Sequence, residues 1–163
     1  MRILGINCMN HDAAMAVVDY SSGIGEVLWA AHAERYSKVK NDHYLNWAIV
    51  NEAMTYGPFD KVVYYEKPWS KKARQFYAGQ YGTALSYTEL PSWHLGHFGI
   101  KIDEYVKHHD SHAAAGYFTS PFKEATILTV DAIGEWDTVS ISTAEKVWIE
   151  RKETIKYLSL IHI

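Results

Sequence analysis

A chain of 163 residues suits one globular domain, or one complete and one partial unit, and its 48% hydrophobic and 21% charged residues exclude a disordered chain. A net charge of -3 supplies no field to gather nucleic acid or an anionic membrane surface. Cys8 is the only cysteine, so an internal disulfide is excluded and a reducing cytoplasm is the expected setting. The opening MRILGINCMNHDAA carries too short an apolar run for a secretory signal, and no stretch approaches the ~20 apolar residues of a membrane span. These features predict a soluble cytoplasmic protein with neither nucleic acid nor membrane as partner.

Residues 2–7 (RILGIN) are short, apolar and β-branched, which predicts a buried strand. AAMAVVDY (13–20) predicts a second strand, ended by the turn SSG (21–23), and GEVLWAAHAE (25–34) a third, in an antiparallel meander. YLNWAIVNEAMTYG (44–57) has helical spacing and stops at Gly57-Pro58, and KVVYYE (61–66) follows as a central strand. SKKARQFYAGQYGTAL (70–85), with Ser70 as its cap, and PSWHLGHFGIKIDEYVK (91–107), with Pro91 near the first helical position, predict two helices. A short helix over about 110–119 closes at Ser120-Pro121. ATILTVD (125–131), DTVSIST (137–143) and EKVWIERKE (145–153) predict a second meander, and the closing KYLSLIHI fits no pattern.

The two halves are alike. ILGIN…HDAAMAVVD and ILTVD…EWDTVSIST each open with a buried strand, pass a polar turn carrying an acid, and return along a second strand. The chain is expected to hold two related β-β-β-α-β units. The first spans 1–122 with a helical insertion, and the second, over 123–163, is cut off after its third strand. This is the α/β plan of the actin, Hsp70 and sugar-kinase (RNase H-like) superfamily. In that plan the first turn of each unit, here 7–13 and 131–137, faces nucleotide phosphates and metal.

His108, His109 and His112 fall within five positions. On a helix His108 and His112 share a face with Cβ atoms about 5–6 Å apart, which suits two ligands on one metal. His109 points elsewhere, and Asp131, at the end of a buried strand, is the best placed third ligand. Two histidines and a carboxylate favour Fe(II) or Zn, with Mn compatible; the same spacing also occurs on helices that only pack. His11 suits a general base, since histidine titrates at about 6.5 unperturbed, and Asp12 could orient it or bind a cation. An Asx-type turn accounts for the same residues without chemistry. Arg35, Lys38 and Lys40 in ERYSKVKND (34–42) could hold a phosphate or carbamoyl phosphate group, or simply form a solvated basic loop.

Together, ILGIN…HDAAMAVVD, AERYSKVKND, HHDSHAAAGYFTSPF and ILTVDAIGEWDT stand in the order and spacing of the NodU/CmcH-type O-carbamoyltransferases. From Ile3 to about Thr138 the chain resembles that family's N-terminal domain, itself related to the tRNA threonylcarbamoyl-transfer proteins. The resemblance implies transfer of a carbamoyl group from carbamoyl phosphate to a hydroxyl of a small molecule or sugar. It implies that a YrdC-like domain first uses ATP to make carbamoyl adenylate. It implies an iron-type metal at His108, His112 and Asp131, acceptor deprotonation by His11 beside Asp12, and contact of Lys40, with Arg35 nearby, to the phosphate-bearing ligand. Ala132 departs from the glycine usual after the aspartate. A further metal carboxylate, the later phosphate-binding arginines and the YrdC-like domain are not in the sequence, so a missing C-terminal part or a second copy of the chain is an expected partner. Two other readings stay open: a non-catalytic metal-binding fragment, and an ATP-dependent kinase or ATPase of the same fold, although NCMNHD lacks the glycine of a DxG-type phosphate turn.

Overall fold

The computed structural model describes residues 1–156, with the surroundings of residues 133 and 134 excepted. The patternless end expected from the sequence lies, from residue 157 on, outside the described residues. Contacts sort the chain into two compact units. Unit 1 is Met1–Tyr65 with Ser86–Tyr105, and unit 2 is Glu66–Leu85 with the described residues from Val106 onward.

In unit 1, β1 (Arg2–Asn7) buries Leu4 and Ile6, and β2 (Ala14–Asp19) buries Met15 and Val17. That alternation is the period of two expected of a strand with one face on the core. The two strands pair antiparallel with Leu4 opposite Val17 and Ile6 opposite Met15. β3 (Glu26–His32) continues the meander along β2. A short α1 (Glu34–Ser37) precedes α2 (Trp47–Met54), which buries Ile49, Val50 and Ala53. Asn46 starts α2: its backbone is extended, and its side-chain oxygen accepts from the Ala48 and Ile49 N–H groups at 3.0 and 3.3 Å. Two of the helix's otherwise unsatisfied donors are thereby paired.

β4 (Lys61–Tyr64) lies parallel to β1. Tyr64 at its end is fully buried and donates its hydroxyl to the Cys8 carbonyl at 2.5 Å. The chain then passes through α3 (Pro68–Tyr77) and α4 (Tyr81–Leu85) in unit 2 and returns to α5 (Pro91–Gly96) in unit 1. β5 (Glu104–Tyr105) completes a five-stranded sheet of order β3-β2-β1-β4-β5. Three antiparallel strands, a crossover helix and a parallel fourth strand are the expected β-β-β-α-β unit, and the RNase H-like fold class read from the sequence holds.

Two expected helices are shorter than their sequence pattern. The stretch 70–85 divides at Gly79, which takes φ +77°. Its first helix starts at Pro68, with Lys67 rather than Ser70 at the cap. The stretch 91–107 stays helical only to Gly96. Gly99 adopts φ +70° and the Ile100 N–H closes back on the Leu95 carbonyl at 3.1 Å, the 6→1 bond of a glycine-terminated helix. Ile100 is then buried, and residues 104–105 add to the edge of β4.

In unit 2, α6 (His108–Phe118) packs on a three-stranded antiparallel meander of β6 (Glu124–Gly134), β7 (Asp137–Glu145) and β8 (Trp148–Lys156). The buried positions of β7 are the small residues Thr138, Ser140, Ser142 and Ala144. The β6–β7 ladder runs regularly to Val130 opposite Val139 and breaks between Val130 and Gly134, which sets Asp131 at an irregular point of the strand. No helix among the described residues is long and apolar enough to cross a membrane.

Asn46→Ala removes the α2 cap and is expected to lower stability by about 1 kcal/mol, while Asn46→Asp, which also accepts from both N–H groups, stays near wild type. Denaturant midpoints at constant slope measure both; equal losses in the two variants would show that the cap is not what Asn46 contributes.

Candidate metal centre

The first turns of α6 bring His108 and His112 one above the other, with ring centroids 4.7 Å apart and Nε2 atoms at 3.0 Å. From β6, Asp131 places Oδ2 at 2.8 Å from His108 Nε2. One ligand atom from each of the three residues lies within 4.8 Å of the others. His108 is buried, Asp131 half-buried and His112 exposed, so the cluster is walled on one side and reachable on the other.

The far side of the His108 ring is also engaged. Its Nδ1 faces Glu66 Oε2 at 3.5 Å, and Glu66 Oε1 accepts from Lys71 Nζ at 2.8 Å. Glu66 is only 4% exposed, a buried carboxylate that requires charged partners. A carboxylate on the second nitrogen of a histidine fixes the ring's orientation and raises its basicity, the usual support of a metal-ligating histidine.

The charges follow from these contacts. Burial alone would push the His108 imidazole down, but the hydrogen bonds to Asp131 and Glu66 outweigh it and push it up to about 9. The same bond to His108 holds the Asp131 carboxyl down at about 2 against the opposing effect of burial. Glu66 is raised by burial, yet bonding to His108 and the Lys71 charge hold it below its ordinary value. Burial and the neighbouring His108 charge push His112 down, so near neutral pH its ring keeps a free lone pair. A protonated His108 between two carboxylates, beside a neutral His112, is the charge pattern that a divalent cation would replace at Nε2.

Further contacts hold α6 in place. Glu135, in the left-handed region at φ +53°, accepts at Oε1 from the Lys67 N–H at 2.8 Å and from the His108 N–H at 3.4 Å. Arg151 of β8 donates to Asp137 at 2.6 Å and to Asp110 of α6. His109 turns away from the cluster, is 1% exposed, and pairs Nδ1 with the Ser140 hydroxyl at 2.9 Å; burial pushes it down, toward the neutral form. Glu135 falls in the acidic turn 131–137 read from the sequence, whereas Glu66, Lys71 and Arg151 were not assigned to a site there. The signal for Glu66 was a lone acid ending the apolar run KVVYY; Lys71 and Arg151 had no signal that pointed to the site.

The remaining expected residues lie in unit 1. His11 Nδ1 and Asp12 Oδ2 are 2.8 Å apart, both partly exposed, and Asp12 sits in the left-handed region at φ +53°. The Met9 N–H donates to the His43 carbonyl at 2.8 Å and the Ala13 N–H to the Asp42 carbonyl at 2.7 Å, tying this turn to the segment before α2. Asp12, Arg35 and Lys40 line one surface depression of about 540 Å3 with His32, Glu34, Lys38, Val39 and Asn41. Within it Arg35 pairs with Glu34 at 3.5 Å and Lys38 Nζ donates to the Arg35 carbonyl at 2.7 Å. The structure thus assembles two clusters: the triad in unit 2, and Asp12 with Arg35 and Lys40 in unit 1, where His11 adjoins Asp12.

Residues 95–162 match the family model described as carbamoyltransferase N-terminus. Over that stretch the chain is similar to the carbamoyltransferase N-terminal family. The stretch contains all three members of the triad, and the resemblance read from the sequence is borne out there. An uncharacterized protein of Synechocystis sp., sll1178, is 28% identical over 167 residues, covering 85% of this chain. The chain spans about a quarter of that relative's length, 26%. Two solved structures from Aquifex aeolicus cover 95% of this chain and 51% of their own: the type II variant of the Ppx/GppA phosphatase at 13% identity and the PPX-GPPA enzyme at 11%, both with a TM-score of 0.45.

The His108 proton competes with a cation for Nε2. The apparent affinity for Mn(II) is therefore expected to rise about tenfold per pH unit from neutrality and to level off above about 9, with one proton released per ion. Without metal the sign reverses: the stability that His108 contributes as a cation is complete below its unfolded value of about 6.5 and is lost as pH rises through about 9. Titration calorimetry in two buffers counts the proton. A pH-independent affinity would contradict the assignment.

Proposed function

We propose that this chain works in carbamoyl transfer to a hydroxyl group, with unit 2 holding a divalent cation and unit 1 handling the acceptor proton and the donor phosphate. The observation that carries the reading is the convergence of His108, His112 and Asp131 inside the stretch that matches the carbamoyltransferase family. Two imidazole nitrogens and a carboxylate oxygen are a donor set that fits Fe(II), Mn(II) or Zn.

Such a cation would polarise the carbamoyl oxygen as a Lewis acid. The protein's own residues supply the rest. Glu66 keeps the His108 ring aimed through Nδ1, and Lys71 compensates the buried Glu66 charge. His11 takes the proton of the acceptor hydroxyl, while Asp12, bonded to its Nδ1, selects the tautomer whose Nε2 is free to accept. Arg35 and Lys40 offer positive charge to the phosphate of the donor. Formation of carbamoyl adenylate from carbamoyl phosphate and ATP is proposed for a YrdC-like domain acting with this one.

Iron content of anaerobically loaded protein tests the reading first. Wild type is expected to bind close to one ion per chain, and His108→Ala and Asp131→Asn to lose it. Glu66→Gln is expected to weaken binding about 10–100-fold without abolishing it. His11→Ala is expected to keep the metal and to lower transfer about 10²–10⁴-fold in the presence of a YrdC-like domain. Full metal retention in a folded His108→Ala, Asp131→Asn double variant would overturn the site, and unchanged transfer in His11→Ala would overturn the proton role.

A further inference from the structure

The helical pair α3 and α4, which lies wholly in unit 2, is built inside out. On a helix, positions 68, 71, 72 and 75 form one stripe and positions 69, 73, 76 and 77 the opposite one. In α3 the inward stripe is the polar one: Pro68 and Lys72 are buried, and Lys71 and Gln75 partly so. Both lysines find acceptors there. Lys72 Nζ donates to the Thr83 and Ala84 carbonyls near the end of α4 at 2.9 and 3.2 Å, and Lys71 Nζ donates to Glu66 Oε1 at 2.8 Å. The outward stripe is Trp69, Ala73, Phe76 and Tyr77, all exposed. A surface helix that needs no partner shows the reverse arrangement.

α4 extends this face. Phe76 meets Tyr81 edge to face, with centroids 5.0 Å apart at 72°, and Leu85 follows Tyr81 by one helical turn. Trp69, Phe76, Tyr77 and Tyr81 are 69%, 52%, 78% and 56% exposed, and Leu85 is 75% exposed. Rings of about 150–250 Å2 each, exposed to that degree, offer roughly 400–650 Å2 of aromatic surface. One side of a stable protein interface covers about 800 Å2, of which about 450–520 Å2 is apolar. The face has the area of one such side.

Charge decides which partner it fits. Residues 75–88 contain no charged side chain, and Lys71 and Lys72 are turned inward. A face of this kind has nothing to select a charged partner, and it meets a copy of itself without like-charge repulsion. Surface rich in aromatics and depleted of charge is the composition of an interface core. In a two-fold dimer the same patch serves on both sides.

We propose that the outward face of α3 and α4 is the contact between two copies of this chain, related by a two-fold axis.

Sedimentation equilibrium of the whole chain is the test. Wild type is expected to show the mass of two chains at about 100 μM, since interfaces of this size dissociate at micromolar concentration or below. Trp69→Asp combined with Tyr77→Asp, both at exposed positions, is expected to weaken the dimer at least about 100-fold with circular dichroism unchanged. Leu128→Asp, at a 63% exposed position of β6, is expected to leave the dimer intact. Cross-linking locates the contact. Cys8 is the only cysteine and is fully buried, so in Ala73→Cys the one exposed thiol lies on the face. A short bismaleimide is expected to join two Ala73→Cys chains and not two Leu128→Cys chains. A monomer at that concentration, a dimer that survives the double substitution, or equal cross-linking of the two cysteine variants overturns the assignment. So does a monomer whose Trp69 becomes covered only when a YrdC-like domain is added, which gives the face to that partner instead. Neither metal nor carbamoyl donor enters these measurements, so they stand or fall apart from the carbamoyl-transfer reading.

Discussion

The His108 ring is held between two carboxylates, Asp131 at Nε2 and Glu66 at Nδ1, and much of unit 2 follows from that arrangement. A buried carboxylate such as Glu66 is unstable without positive charge beside it. It has two sources, the His108 imidazolium and the Lys71 ammonium at 2.8 Å. Lys71 stands on the first turn of α3, so the pair ties that turn to the residue just ahead of the helix. Asp131 must reach the opposite nitrogen, and the break in the β6–β7 ladder after Val130 places it at an irregular point of the strand. The helix, the strand end and the ladder break are one electrostatic assembly.

The same assembly accounts for the division of labour among the three histidines. His108 carries the charge, burial and the neighbouring His108 cation keep His112 toward its neutral form, and His109 is buried against Ser140 as a structural polar contact. Replacing a proton by a divalent cation leaves the carboxylates satisfied and adds His112 as a further donor. A site already polarised in this way needs little rearrangement to accept metal, which favours affinity because little ordering remains to be done on binding.

The strands of unit 1 were legible because alternation at Leu4, Ile6, Met15 and Val17 is a direct image of a one-sided sheet. The pairing of His108 with His112 was legible because four-residue spacing on a helix fixes a distance, and Asp131 because a strand-ending acid has few structural uses. Glu66 was hidden: it is 42 residues from His108 in the chain, too far for any local pattern to pair the two. The helix over 91–107 was misread because Leu95, Phe98 and Ile102 keep helical spacing, while Gly99 provides the left-handed residue that ends the helix early. The link between the His11 turn and the Asp42–His43 segment is made by backbone carbonyls, which carry no side-chain signature at all.

The central claim is that one cation binds through two imidazoles of α6 and the carboxylate of β6. X-ray absorption at the iron edge of the Fe(II)-loaded chain tests it most directly. The account predicts outer-shell scattering from two imidazoles, reduced to one in His112→Ala, with the remaining nearest neighbours oxygen at about 2.0–2.2 Å. A spectrum with no imidazole scattering, or one unchanged by His112→Ala, would contradict it.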